Sequence, residues 1–210
     1  MVSEEEKEYA EVLPIRGKIY SIVGESGSGK STFLSLLAGL DLPTYGTLYI
    51  QGNDIRSINR DKYWMEKASM VYQLFHLFPL LTALESVMFP MTLKGVSIKE
   101  AKEKAKELIS KVGLGEKILK QFPQMMSGGE QQRVAIARAM ASGGNILLAD
   151  EPTGKLDTKN EVYIVNLLKD LAHKENYAVI IVTHNTKVAL ETDMILRMQD
   201  GILIEVQKND

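Results

Sequence analysis

The sequence predicts an α/β fold, a mainly parallel sheet flanked by helices, with an inserted helical part and a small, shortened antiparallel β part. Three observations predict it. Short apolar runs that read as buried strands, at 18–23, 69–73, 145–150 and 177–183, alternate with segments of helical period. A glycine-rich turn, "VGESGSGKST" at 23–32, lies between the first of these strands and a helix. Another strand, "NILLAD", runs straight into a pair of carboxylates, Asp150 and Glu151. That is the carboxyl edge at which open parallel sheets carry their sites.

Composition bounds the rest. The chain has 210 residues, enough for one substantial core or one core with a subdomain. A hydrophobic share of 45% with 25% charged residues is ordinary for a globular chain, and a net charge of −2 gives no footprint for nucleic acid. With no cysteine there is neither a disulfide nor a thiolate metal site. The acidic start "VSEEEKEYAE" lacks the basic and apolar regions of a secretory signal, and residues 1–12 read as an acidic arm. The most apolar stretch, 74–91, contains His76, Glu85 and two prolines and is rejected as a membrane span. If the protein serves a membrane, the membrane part is another chain.

The elements follow in order. After the strand 18–23, a helix is expected over 30–40 and a single strand over 46–55, "GTLYIQGNDI", with glycines at its ends. The strand "SMVYQ" at 69–73 comes next, and then the character changes. A helical insertion is expected at about 75–125. Within it, "SIKEAKEKAKELISKVG" at 97–113 has Ser97 and Glu100 as a capping box and Gly113 as its stop. Its apolar positions Ile98, Ala101, Ala105, Leu108, Ile109 and Val112 share one face, and its charges form a solvated one. The α/β alternation then resumes with a helix at 129–142, the strand 145–150, a helix from Thr158, capped by Thr158 and Glu161, to about 174, and the strand 177–183. A hairpin, "MILRMQDGILIEV", closes the pattern with its turn at Asp200-Gly201.

The turn Gly24-x-x-x-x-Gly29-Lys30-Ser31 fits the phosphate-binding loop of a P-loop NTPase core. Gly24, Gly27 and Gly29 let successive N–H groups point inward, and the following helix adds its positive end. Lys30 reaches β- and γ-phosphates in such loops, and the Ser31 hydroxyl ligates Mg²⁺. Asp150 is placed to hold Mg²⁺, usually through water. Glu151, expected to point elsewhere because strand side chains alternate, is placed to polarise an attacking water. "MMSGGEQQRVAIARAMA" at 125–141 opens a helix with Ser127, Gly128 and Gly129. A phosphate suits that helix end, and so does a plain cap of Ser127 with Glu130.

Six motifs stand in one order: "GESGSGKS", Gln73 in "VYQ", "SGGEQQR", "ILLADEP", Asp157 in "GKLD" and His184 in "VTHN". From about Leu13 onward the chain thereby resembles ATP-binding-cassette (ABC) ATPases. "FHLFPLLTALESVMFP" and "LLADEPTGKLD" resemble the lipoprotein-release, macrolide-export and cell-division branch. The resemblance implies an ATP-hydrolysing subunit of a transporter or mechanotransmission complex, using Mg²⁺, at the inner face of the cell membrane. It implies transmembrane permease subunits on separate chains, a homodimer or heterodimer of ATPase subunits, and no nucleic acid. The alternative is a soluble cassette ATPase of DNA repair or chromosome maintenance, but those usually insert coiled coils or zinc modules that this chain lacks.

The same resemblance distributes roles. Gly24, Glu25, Ser26, Gly27, Ser28, Gly29, Lys30, Ser31 and Thr32 would hold the nucleotide phosphates. Ser31 and Gln73 would ligate Mg²⁺, with Asp150 behind water, and Gln73 would sense the transmembrane partner. Glu151 would be the general base and His184 would contact the γ-phosphate. Ser127, Gly128 and Gly129 would act on the nucleotide of the opposite subunit, with Asp157 across the same interface. His76 and His173 read as structural or surface residues, and 74–91 as core or as a groove for a transmembrane helix. Family members usually carry a strand and an adenine-stacking aromatic farther upstream than this chain allows, and Tyr9 is the one aromatic ahead of Tyr20. Met126 stands where leucine is common, and Lys155 where asparagine or alanine is frequent.

Overall fold

Alternating side chains on each central strand go to two different cores, and this arranges the whole molecule. The computed structural model describes residues 16–50 and 52–206. Its sheet contains β1 (Lys18–Val23), β4 (Ala68–Tyr72), β5 (Ile146–Asp150), β6 (Ala178–Val182), β7 (Met194–Gln199) and β8 (Ile202–Val206), in the spatial order β4-β5-β6-β1-β7-β8. The first five are parallel, and β8 returns antiparallel to β7.

Ile19, Val71, Leu147, Ala149, Val179 and Ile181 face one core, with α5 (Gly128–Ala141) and α6 (Thr158–His173) packed over them. Tyr20, Ile22, Met70, Leu148, Ile180 and Leu196 face the other, under α1 (Lys30–Leu37) and α2 (Arg60–Glu66). Burial on both faces is what makes these strands continuous apolar runs.

α3 (Ala83–Leu93), α4 (Ile98–Lys111) and two short 3-10 turns at Glu116–Lys120 and Pro123–Met125 fall between β4 and β5 and join the α5 core. Thr82 and Glu85 close a reciprocal capping box on α3. On α4 the expected face is buried at Ala101, Ala105, Leu108, Ile109 and Val112, but Ile98 lies in the first turn and is 73% exposed.

Several expectations are corrected. The segment 46–55 is two strands, β2 (Tyr49–Ile50) and β3 (Asn53–Asp54), paired antiparallel, because Gly52 takes φ 78° and ends the extended run. α1 stops at Leu37, since Gly39 takes φ 72°. The cap of α6 is Asp157, whose carboxylate accepts from the Asn160 N–H at 3.0 Å, and Thr158 is the first helical residue. α2 and the single-turn α7 (Thr186–Leu190) are additional, each started by an asparagine cap, Asn59 and Asn185. Tyr9 and the acidic arm lie outside the described residues.

Among the described residues no helix is long and apolar enough to cross a membrane. The hairpin β7–β8 turns at Asp200 and Gly201, both left-handed, and the Gly201 N–H donates to the Ser28 carbonyl at 3.2 Å. The last hairpin thus leans on the glycine-rich loop.

Candidate active site

The glycine-rich loop is shaped by its own backbone. Gly27 and Gly29 sit at φ 82° and 102°, where L side chains are strained. At Gly24 the restriction is space: a Cβ there would stand 2.3 Å from the Met198 carbonyl oxygen of β7. Gly29 begins α1 without any side-chain cap, and the first turn holds no acidic residue. The helix end is therefore open, with its positive pole directed at the loop.

Lys30 is buried and bends back over the loop. Its Nζ donates to the carbonyls of Gly24 at 2.9 Å and Glu25 at 2.6 Å, and to Ser28 Oγ at 3.3 Å. These three acceptors hold an ammonium that burial would otherwise penalise.

Gly24, Ser26, Gly27, Gly29, Lys30, Ser31, Thr32, Asp150, Glu151 and His184 line one cleft of about 440 Å³. Ser31 Oγ lies 3.5 Å from Asp150 Oδ1. Burial raises the Asp150 carboxyl above its ordinary range; the Ser31 hydroxyl opposes this, the charge of Glu151 adds to it, and Lys30 opposes it. Hard oxygen donors beside a phosphate-shaped loop suit a hard cation such as Mg²⁺, which takes few protein ligands and fills its shell with phosphate and water.

Glu151 does not point away from Asp150 as strand alternation predicts. β5 ends at Asp150, and Glu151 takes φ 47°, which swings its side chain into the same cleft. Its carboxylate oxygens each lie 2.8 Å from His184 Nδ1. A carboxylate only accepts, so Nδ1 carries the proton, leaving Nε2 as the free edge of the ring. His184 comes from the loop between β6 and α7.

The other sequence-predicted residues lie elsewhere. Gln73 follows β4 but does not line the cleft: its Nε2 is 2.5 Å from where a Cβ on Gly154 would stand, and Glu151 Oε2 is 3.2 Å from the same point. Ser127 caps α5 in a closed box, its Oγ donating to Glu130 Oε2 at 2.8 Å and accepting from the Glu130 N–H at 3.3 Å. Gly129 leaves no room for a side chain beside Asn160, whose amide donates to Asp157 Oδ2 at 2.6 Å. Ser127, Gly128, Gly129 and Asp157 therefore form a second group around the starts of α5 and α6. Ser127 and Asp157 are exposed there.

The profile of the family described as "ABC transporter" matches residues 15–154. The chain belongs to the ABC transporter family. The lipoprotein-releasing system ATP-binding protein LolD of Acinetobacter baylyi is 43% identical over 90% of this chain and 84% of its own length. The uncharacterized ABC transporter ATP-binding protein YclH of Bacillus subtilis is 41% identical over 89% and 82%. The macrolide export ATP-binding/permease protein MacB of Shewanella sp. ANA-3 is 41% identical over 92% of this chain, which spans only 30% of that longer protein.

The bacterial ABC transporter cassette MJ0796, solved as a dimer, superimposes with a TM-score of 0.84 at 40% identity, covering 93% of this chain and 87% of the cassette. Its post-hydrolysis state bound to ADP and Pi gives 0.83 at 39%, covering 92% and 87%. This ABC protein is an ATP-binding ATPase with the α/β P-loop fold, and the matches support the transporter reading over the DNA-repair one.

Proposed function

We propose that the chain, read as one cassette over 1–210 with an inserted helical subdomain at about 75–125, drives a transporter or mechanotransmission complex of the lipoprotein-release and macrolide-export kind. It works as a homodimer or heterodimer on separate transmembrane permease subunits, at the cytoplasmic face of a membrane. The observation that carries this reading is the convergence of Lys30, Ser31, Asp150, Glu151 and His184 on one cleft under an uncapped helix end. Its lack of nucleic-acid character is supported by the net charge of −2.

The loop amides of 24–32 and Lys30 bind the phosphates, Lys30 exchanging its carbonyl partners for phosphate oxygens. Ser31 and Gln73 would hold Mg²⁺, with Asp150 acting through water. When bound, Mg²⁺ neutralises phosphate charge and orients the triphosphate. Glu151 takes the proton of the attacking water, and His184, its Nδ1–H held by Glu151, meets a γ-phosphate oxygen by donating from Nε2–H, which requires both ring nitrogens to carry a proton.

One chain leaves the nucleotide open on one side. Ser127, Gly128 and Gly129 of one subunit cover the nucleotide of the other, with Asp157 at the same seam, so closure excludes water. Light scattering of Glu151→Gln with sodium ATP and no Mg²⁺ tests this. The expected result is a doubling of mass that Ser127→Arg abolishes. A chain that binds ATP yet stays monomeric, even with a permease present, would sink it.

A further inference from the structure

The segment that follows Gln73 is gripped by a residue given no role so far. β4 ends at Tyr72, and three residues later the backbone enters the left-handed region twice in succession, Phe75 at φ 60° and His76 at φ 47°. Histidine visits this region more readily than most residues, but a bulky phenylalanine there is an outlier that its surroundings must hold.

Arg138, in the last part of α5, supplies the hold. Its Nη1 donates to the His76 carbonyl at 2.6 Å and its Nη2 to the Phe75 carbonyl at 3.3 Å. Two donors on one planar fork fix two successive peptide groups at once, which a lysine cannot do. Burial lowers the Arg138 guanidinium pKa, so the charge is kept there at a cost that these carbonyls offset. Around the grip, the His76 ring stacks on Tyr72 with centroids 4.4 Å apart, and Phe75 Cζ lies 3.6 Å from where a Cβ on Gly128 would stand. One end of the strained segment thus touches the start of α5, and the other carries Gln73 beside Glu151 over Gly154.

We propose that Arg138 is a positioning residue: by gripping the Phe75 and His76 carbonyls it fixes the backbone that carries Gln73, tying the place of that carboxamide to the helix that begins at Ser127. Its bearing on hydrolysis rests on the role proposed above for Gln73. The grip itself rests on the geometry alone.

Two variants of the full chain test it. Arg138→Lys keeps the charge without the fork, and Arg138→Met keeps much of the length without donors. In the ATP-free protein, amide hydrogen exchange over 74–78 becomes at least about tenfold faster in both, while α4 and α6 exchange as before. The kcat for ATP falls about tenfold with KM within about twofold. In a Gln73→Ala background, Arg138→Lys lowers kcat no further, the non-additivity expected of two residues acting as one.

Unchanged exchange over 74–78, or acceleration spread evenly through the sheet and helices, overturns the grip. Independent addition of the two kcat effects overturns the link to Gln73. A Gln73→Ala chain with undiminished kcat instead overturns the role of Gln73, and exchange then judges the grip by itself.

Discussion

Two helices in this molecule begin at ends proposed above to meet phosphate, and they begin in opposite ways. α1 starts at a left-handed Gly29 with no side-chain cap and no acidic residue in its first turn. α5 starts at Ser127 with a complete capping box and Glu130 in its first turn. The first end has no side chain on its free N–H groups. The second is already satisfied by its own carboxylate, whose pKa is lowered by the Ser127 N–H and hydroxyl. An anion arriving at α5 must compete with Glu130 for the same hydroxyl, so on the proposed function α1 is expected to bind phosphate first and more strongly than α5.

That contrast can be broken at either end. The largest effect is expected for Gly24→Ala, whose Cβ would meet a backbone oxygen of β7 at 2.3 Å. ATP affinity should fall at least about a hundredfold, roughly 3 kcal/mol, in calorimetric titration. Retained affinity would show that the loop is not the primary binder. Next, Ser127→Arg in the Glu151→Gln chain should abolish ATP-driven dimerisation while the monomer keeps its ATP Kd within about twofold. A large loss of monomer affinity would place both helix ends on the same nucleotide.

Glu130→Gln sharpens the comparison, since glutamine keeps a capping box and removes only the charge. The ATP concentration for half-maximal dimer should drop about three- to fivefold, the size of a charge at a helix end of about 1 kcal/mol or less. A rise instead would mean that the carboxylate helps the closed state.

The smallest effect lies far from both ends, at Asp193. Burial pushes this carboxyl up, but the Ile19 N–H at 2.9 Å and the His173 ring together hold it below its ordinary range. Folded, it binds fewer protons than unfolded. Its stabilising contribution is complete above the unfolded value of about 3.9 and is lost as pH falls through the folded one. Asp193→Asn should flatten the acid limb of urea-denaturation midpoints, measured from about pH 5 to about pH 2.5, and leave ATP binding alone.

Much of this was legible from residues because period and composition agreed. The buried strands ending at Tyr72 and Asp150, the Ser127–Glu130 box and the Asp200-Gly201 turn each have a local cause. What was hidden is conformational. Nothing in "ADEP" says that Glu151 adopts φ 47°, and period-two reasoning sends its side chain the wrong way. Gly52 was visible, but a glycine at a strand end and a glycine inside a turn read alike until the pairing of Tyr49 with Asp54 is seen. Asp157 and Thr158 are both good caps, and only geometry chooses between them. The signal for α2 was present, Asn59 before Arg60–Glu66, but the helix is too short for a clear period. Arg138 could not be singled out, since its partners are backbone carbonyls 62 and 63 residues away.

The terminal hairpin has a mechanical consequence. Its turn touches the glycine-rich loop through the Gly201–Ser28 bond, and β7 backs the loop at Gly24. A load applied to β8 therefore reaches the glycine-rich loop both through that amide and through the β7 backbone. A fluorophore at residue 202, which is 64% exposed, would report on that contact from the solvent side.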